Sequence, residues 1–191
     1  MPSPLRNGNG TRNRHLDLFV STVSERKIRR LNYLLLLFRL ASFSFSLASA
    51  VFTLSNSSPS RSQLDFLSFR LLFAANAIVA VYSLFQMGAA SWEIIKGPTL
   101  LPESAQLWFD FSHDQVFAYL VLGAGVAGAA ETGRQRLTQG PICQGDGESY
   151  CIQADISVAL GFAGFLFLAL ATLASGFRLV CFLATGSRFP M

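Results

Sequence analysis

The feature that most constrains this chain is a 24-residue apolar run, Leu31 to Leu54, LNYLLLLFRLASFSFSLASAVFTL, interrupted by one charged residue, Arg39. About 20 mostly apolar residues form a helix long enough to cross a hydrocarbon core of roughly 30 Å. An arginine placed mid-span costs on the order of 2.5–3.5 kcal/mol on insertion scales. The run therefore predicts a transmembrane helix and demands a compensating group elsewhere in the chain. The remainder has the composition of a membrane protein: of 191 residues, 51% are hydrophobic and 14% charged, with a mean hydropathy of +0.42. Ordinary soluble domains carry about 25% charged residues.

Charge is unevenly distributed. Residues 1–30 hold seven Lys/Arg against two acids, whereas the whole chain has a net charge of only +4. An anionic membrane surface explains this better than nucleic acid, which is not an expected partner. The first 30 residues contain no apolar core of a cleavable signal, and they read as a disordered basic cytoplasmic tail. The cluster Arg26, Lys27, Arg29 and Arg30 abuts the first span and places the N-terminus in the cytosol by the positive-inside rule.

Further apolar runs predict an all-α, four-helix transmembrane bundle with spans at about 31–54, 71–95, 109–130 and 156–179, a membrane domain over 31–184 and a short cytoplasmic tail at 185–191. Trp92, Glu93 and Lys96 mark an interfacial end of span two, and Gly97-Pro98 followed by Pro102 breaks the helix. With this topology ten Lys/Arg lie inside and four outside, Arg39 being the fifteenth. Span three is short, because its uncharged stretch runs only from Gln115 to Ala130. It crosses comfortably only if Asp114 enters the membrane with it.

Two readings of Asp114 follow. As a partner for Arg39 it lies on a span running in the same direction and at comparable depth from the cytosolic end. Alternatively, Ser112-His113-Asp114-Gln115 is a helix-capping box, with Ser112 at the N-cap. Spacing alone leaves the two even. Glu93 reads as an interfacial charge that could join the same polar cluster.

The string Gly123-Ala124-Gly125-Val126-Ala127-Gly128 matches the dinucleotide fingerprint GxGxxG, but it lies mid-span, where no strand precedes it and no solvent-facing turn can form. Its glycines are read instead as packing residues: Ala124 and Gly128, with Ser157, Gly161 and Gly164 of span four, form small-residue faces for close helix contacts within the bundle or between subunits. Cys143 and Cys151 lie in the second external loop, where either a disulfide or two free thiols would fit. Cys181 reads as a core thiol or a palmitoylation site, and Asn56-Ser57-Ser58 is a glycosylation sequon close to the membrane. A second sequon, Asn9-Gly10-Thr11, lies in the expected cytosolic tail. No catalytic triad, paired catalytic carboxylates or metal-ligand spacing is present, so no enzyme, cofactor, metal or small-molecule substrate is expected.

Phe38-Arg39-Leu40-Ala41 and Phe109-Asp110-Phe111-Ser112-His113-Asp114-Gln115-Val116, leading into Ala118-Tyr119-Leu120, resemble strings of the Casparian strip membrane domain proteins and their CASP-like relatives. These are plant four-span proteins of the MARVEL-like group, and the likeness covers roughly residues 28–184. The Phe-Asp-Phe stretch is most similar to the fourth CASP-like subfamily. That family carries an arginine in span one and an aspartate in span three, matched here by Arg39 and Asp114. The resemblance implies a non-enzymatic plasma-membrane scaffold, homo-oligomeric or associated with related four-span proteins, surrounded by membrane lipid and able to recruit wall-modifying enzymes. The loop Ser55 to Arg70 departs from the barrier-forming members by lacking a longer apolar signature. The competing expectation is a channel or transporter subunit with Arg39, Asp114 and Glu93 lining a polar path.

Overall fold

The computed structural model describes residues 10–55, 57–58, 61–96, 103–138 and 148–185, with side chains described over 30–55, 62–92, 95, 105–137, 149–180 and 183. Four long helices dominate: α1 (Gly10–Ser55), α2 (Leu67–Lys96), α3 (Glu103–Thr138) and α4 (Glu148–Thr185). Between α1 and α2 lie a two-residue hairpin, β1 (Ser57–Ser58) and β2 (Arg61–Ser62), and a 3-10 turn, Gln63–Asp65. Asn9, Asn56 and Cys143 lie outside the described residues, as do the side chains of Glu93 and Cys181.

All four helices contain a segment long and apolar enough to cross a membrane: Arg30–Ser55, Leu67–Trp92, Ala105–Leu137 and Ser149–Val180. Each is longer than its apolar run predicts. The helix α1 runs back to Gly10, so the stretch read as a disordered tail is helical from there onward. After Pro4 and Gly10 that stretch has neither proline nor glycine, and a helix already nucleated by the span extends at little cost. Similarly, α3 starts at Glu103, immediately after the last proline in that loop. This removes the shortness that made span three look marginal. It also overturns the capping-box reading, since Ser112 lies well inside α3, where there are no free N-terminal amides to cap.

The helices form a four-sided bundle in which α1 and α3 each pack against both α2 and α4, leaving α1 and α3 on opposite corners. One core cluster joins Ala75, Val79, Ala118, Val121, Ala124 and Leu168, and a second joins Phe69, Leu72, Ala154 and Val158 towards the hairpin end. The outer surface is lined with exposed large apolar side chains, among them Leu37, Leu47, Ile78, Val81, Val116 and Leu173. In water such continuous apolar surface would drive association; in a bilayer it faces the acyl chains.

The α1/α4 contact is close because serine meets glycine. Ser42, Ser46, Ser49 and Thr53 lie on one face of α1 and are fully buried. Ser42 Oγ donates to the Gly164 carbonyl at 3.3 Å and Ser49 Oγ to the Ser157 carbonyl at 2.7 Å. A Cβ on Gly164 would lie 2.6 Å from Ser46 Oγ and 3.3 Å from the Ser46 amide nitrogen, so only glycine lets α1 come this near. Phe45 stacks on Phe167 beside the same contact, with ring centroids 5.4 Å apart.

Candidate functional site

The buried charges, Arg39, Asp110, Asp114 and Arg178, sit in one half of the bundle. Arg39 lies nine residues into its span from Arg30, and Asp114 nine residues into its span from Ala105. Their direct ion pair places the two at a common level in the bundle. Because α1 and α3 occupy opposite corners, the long arginine side chain reaches across the bundle, and its Nη2 lies 3.2 Å from Asp114 Oδ2. Asp114 is fully enclosed and Arg39 is 5% exposed.

Neighbouring helices complete the coordination. Arg39 Nη1 donates to Gln86 Oε1 at 3.1 Å. The Tyr82 hydroxyl donates to Asp114 Oδ1 at 2.6 Å and accepts from Gln86 Nε2 at 2.9 Å. Gln86 Nε2 also reaches Asp110 Oδ1 at 3.2 Å, and Ser175 Oγ of α4 donates to Asp114 Oδ2 at 3.3 Å. Asp114 therefore accepts from three donors on three different helices. Arg178, also buried, lies within electrostatic reach of Asp110. Among the described residues, two arginines and two aspartates give the cluster no formal net charge, the condition that favours ionised groups in a low-dielectric interior.

Arg39 and Asp114 stand out in the sequence, whereas Tyr82, Asp110, Gln86, Ser175 and Arg178 join them only in the folded bundle. The signal was present in the spacing. Asp110/Asp114 and Tyr82/Gln86 are each four residues apart and Ser175/Arg178 three apart, so each pair shares a helix face. Glu93 lies seven residues beyond Gln86 on α2, two turns further along.

The small residues are turned mostly inward. A Cβ on Gly125 would lie 3.2 Å from the Phe162 ring, one on Gly128 3.1 Å from Val158, and one on Gly161 3.3 Å from both Asn76 and Leu72. Ala124 is buried in the core. Gly125, Gly128, Gly161 and Gly164 therefore pack within the chain, the first of the two alternatives open to these small-residue faces. Gly123 differs: a Cβ there meets nothing within 4 Å, and it lines an outer apolar groove of about 440 Å3 with Leu71, Ile78, Tyr119 and Leu120.

At the hairpin end, Arg136 of α3 forms an ion pair with Asp155 of α4. Cys151, in the first turn of α4, is disulfide-bonded. Among the described residues, no group of three or more His, Cys, Asp or Glu is placed to hold a metal ion.

Fold and site together define a class: a four-span helical membrane protein whose helices are tied by a buried, neutral charge cluster. Comparison with known proteins narrows this further. The Casparian strip membrane protein domain matches residues 28–167, and the chain belongs to that family. It is 53% identical over 192 residues to CASP-like protein 4C2 of Populus trichocarpa, covering 98% of this chain and 97% of the relative. It is 54% identical over 192 residues to CASP-like protein 4C1 of Arabidopsis thaliana, covering 100% and 97%, and 56% identical over 171 residues to CASP-like protein 4C1 of Ricinus communis, covering 90% and 85%. No solved structure matches. The chain is accordingly a multi-pass, non-enzymatic membrane-organising protein of the CASP-like type.

Proposed function

We propose that this protein is a plasma-membrane scaffold, with both termini in the cytosol, that organises a membrane patch by associating with copies of itself or with related four-span proteins and by recruiting wall-modifying proteins. One observation carries this reading: Arg39, Asp110, Asp114 and Arg178 are buried, and Arg39 and Asp114 are bonded to each other, with Asp114 0% exposed. What such a bundle offers a neighbour is apolar shape. A polar path lined by Arg39, Asp114 and Glu93 would instead need the first two open to water. With Gly125, Gly128, Gly161 and Gly164 packed inside the chain, association falls to the lipid-facing surface, which includes the open Gly123.

Photobleaching of a fluorescent fusion tests the scaffold, which predicts slow and incomplete recovery. Recovery as fast as that of an unassembled four-span protein would refute it. So would solute flux through reconstituted vesicles that is abolished by Asp114→Asn. Protease protection of terminal tags in sealed vesicles tests the orientation, both tags being expected on the cytosolic side.

For the disulfide of Cys151 we infer Cys143 as the partner, because Cys181 lies 30 residues further along α4, roughly 45 Å away at 1.5 Å per residue. Non-reducing peptide mapping would show the 143–151 cross-link. Asn56, two residues beyond the final residue of the first expected span, is too near the membrane to expect a glycan, and the absence of a mobility shift on deglycosylation checks this.

A further inference from the structure

The buried polar residues of α1 and α2 do not stop at the charge cluster. Arg39 lies opposite Gln86, bonded at 3.1 Å. The two helices run antiparallel with equal rise, so each step forward on α1 matches a step back on α2. The same register sets Ser42 opposite Ser83 and Ser49 opposite Asn76. The last pairing has independent support, since a Cβ on Gly161 of α4 would lie 3.3 Å from Asn76 Nδ2 and 3.4 Å from Ser49 Oγ. Ser46 and Thr53 continue the face on α1. Gln63, in the 3-10 turn that packs on both helices, sits over its end. From Arg39 to Thr53 this polar seam extends for roughly 21 Å, most of the way from the cluster to the hairpin.

Several of its atoms are enclosed with no hydrogen-bond partner in the protein: Arg39 Nε, Ser46 Oγ, Ser83 Oγ, Asn76 Oδ1 and both amide atoms of Gln63. Their residues are 0–5% exposed. This is not a general property of hydroxyls in these helices. Ser44 and Thr53 on α1 donate to the carbonyls four residues earlier, at 2.9 and 2.8 Å. A buried polar atom left without a partner costs about 1–3 kcal/mol, and orphaned groups are rare in native proteins. Here they cluster along one seam and alternate between donors and acceptors. Buried water characteristically makes 2–4 hydrogen bonds to such groups.

We propose that the polar seam where α1 meets α2 and α4 is a binding site for a short file of ordered water molecules. The inner position is bounded by the unpartnered Arg39 Nε, Ser46 Oγ and Ser83 Oγ, and the outer one by Asn76 Oδ1 and Ser49. The file begins beneath Gln63 and ends on the Arg39 guanidinium. Its water belongs to the fold: it satisfies the arginine edge that Asp114 and Gln86 leave unbonded, and it couples the hairpin end of the bundle to the charge cluster.

Radiolytic hydroxyl-radical labelling of the full chain in lipid nanodiscs tests the proposal, because enclosed residues are oxidised only where water is bound beside them. Leu72, which borders Asn76 at Gly161, and Leu168, in the purely apolar cluster, are both 0% exposed. Oxidation of Leu72 at several times the yield of Leu168 is expected; equal yields would overturn the proposal. The variants Ser46→Ala and Ser83→Ala supply a second readout with opposite signs. If the hydroxyls are hydrated, removing either lowers the melting midpoint, by roughly 2–4 °C for a chain of this size. If they are dry, removing them relieves a desolvation cost, and an unchanged or raised midpoint would overturn the proposal.

Discussion

Asp114→Leu should be among the most damaging substitutions in this protein, and its effect can be worked from the cluster. The carboxylate accepts from Arg39, Tyr82 and Ser175, and three interhelical hydrogen bonds at about 0.6 kcal/mol each come to roughly 2 kcal/mol. The change also leaves Arg39 and Arg178 with Asp110 as the one remaining carboxylate in the cluster, so an uncompensated positive charge stays buried. Breaking a buried pair in this way costs about 3–5 kcal/mol in total, equivalent to a fall of ~6–20 °C in melting midpoint at 2–4 °C per kcal/mol. Arg39→Leu should cost less, because Asp114 retains the Tyr82 and Ser175 hydroxyl donors. The double variant Arg39→Leu/Asp114→Leu removes both charges together and should recover part of the loss. The assay is thermal unfolding of the purified protein in detergent, followed by intrinsic fluorescence and by the monodisperse fraction on size exclusion. An Asp114→Leu midpoint within 2 °C of wild type, or a double variant showing the plain sum of the single losses, would refute the reasoning.

Three further outcomes follow from the geometry. Gly164→Val should lower stability by about 1–3 kcal/mol through overpacking, since even its Cβ meets Ser46 Oγ at 2.6 Å, whereas Gly123→Val, open on its outer side, should stay within about 0.5 kcal/mol; thermal midpoints compare the two directly. Tyr82→Phe removes one of those three interhelical bonds, the 2.6 Å bond to the Asp114 carboxylate, and should cost between about 0.6 and about 1.7 kcal/mol, measurable by the same unfolding assay. Ser49→Ala deletes the bond to the Ser157 carbonyl and should cost only about 0.6 kcal/mol, so its midpoint should fall clearly less than that of Gly164→Val.

The sequence by itself determined the number of spans, their approximate places and the two most consequential charges. Hydropathy is a local property, and the cost of an intramembrane arginine makes a carboxylate on a span of the same direction a natural partner. Helix ends were less legible. Apolar composition marks the lipid-facing length but not how far a helix continues beyond it, and this is why α1 reaches back to Gly10 and α3 to Glu103. That early start of α3 carried Asp114 into the interior of the helix and excluded Ser112 as a cap.

Only the tertiary structure decided which side chains share the cluster and which way the glycines face. Small residues at four-residue spacing favour close approach without specifying whether the neighbour belongs to the same chain. The antiparallel register of α1 with α2, and the serine face of α1 against Gly161 and Gly164, resolved that choice inward. Asp110, Tyr82, Gln86, Ser175 and Arg178 looked individually like scattered polar residues on apolar helices. They became one neutral cluster because four helices converge at a common depth, a property of the packed bundle that no single span encodes.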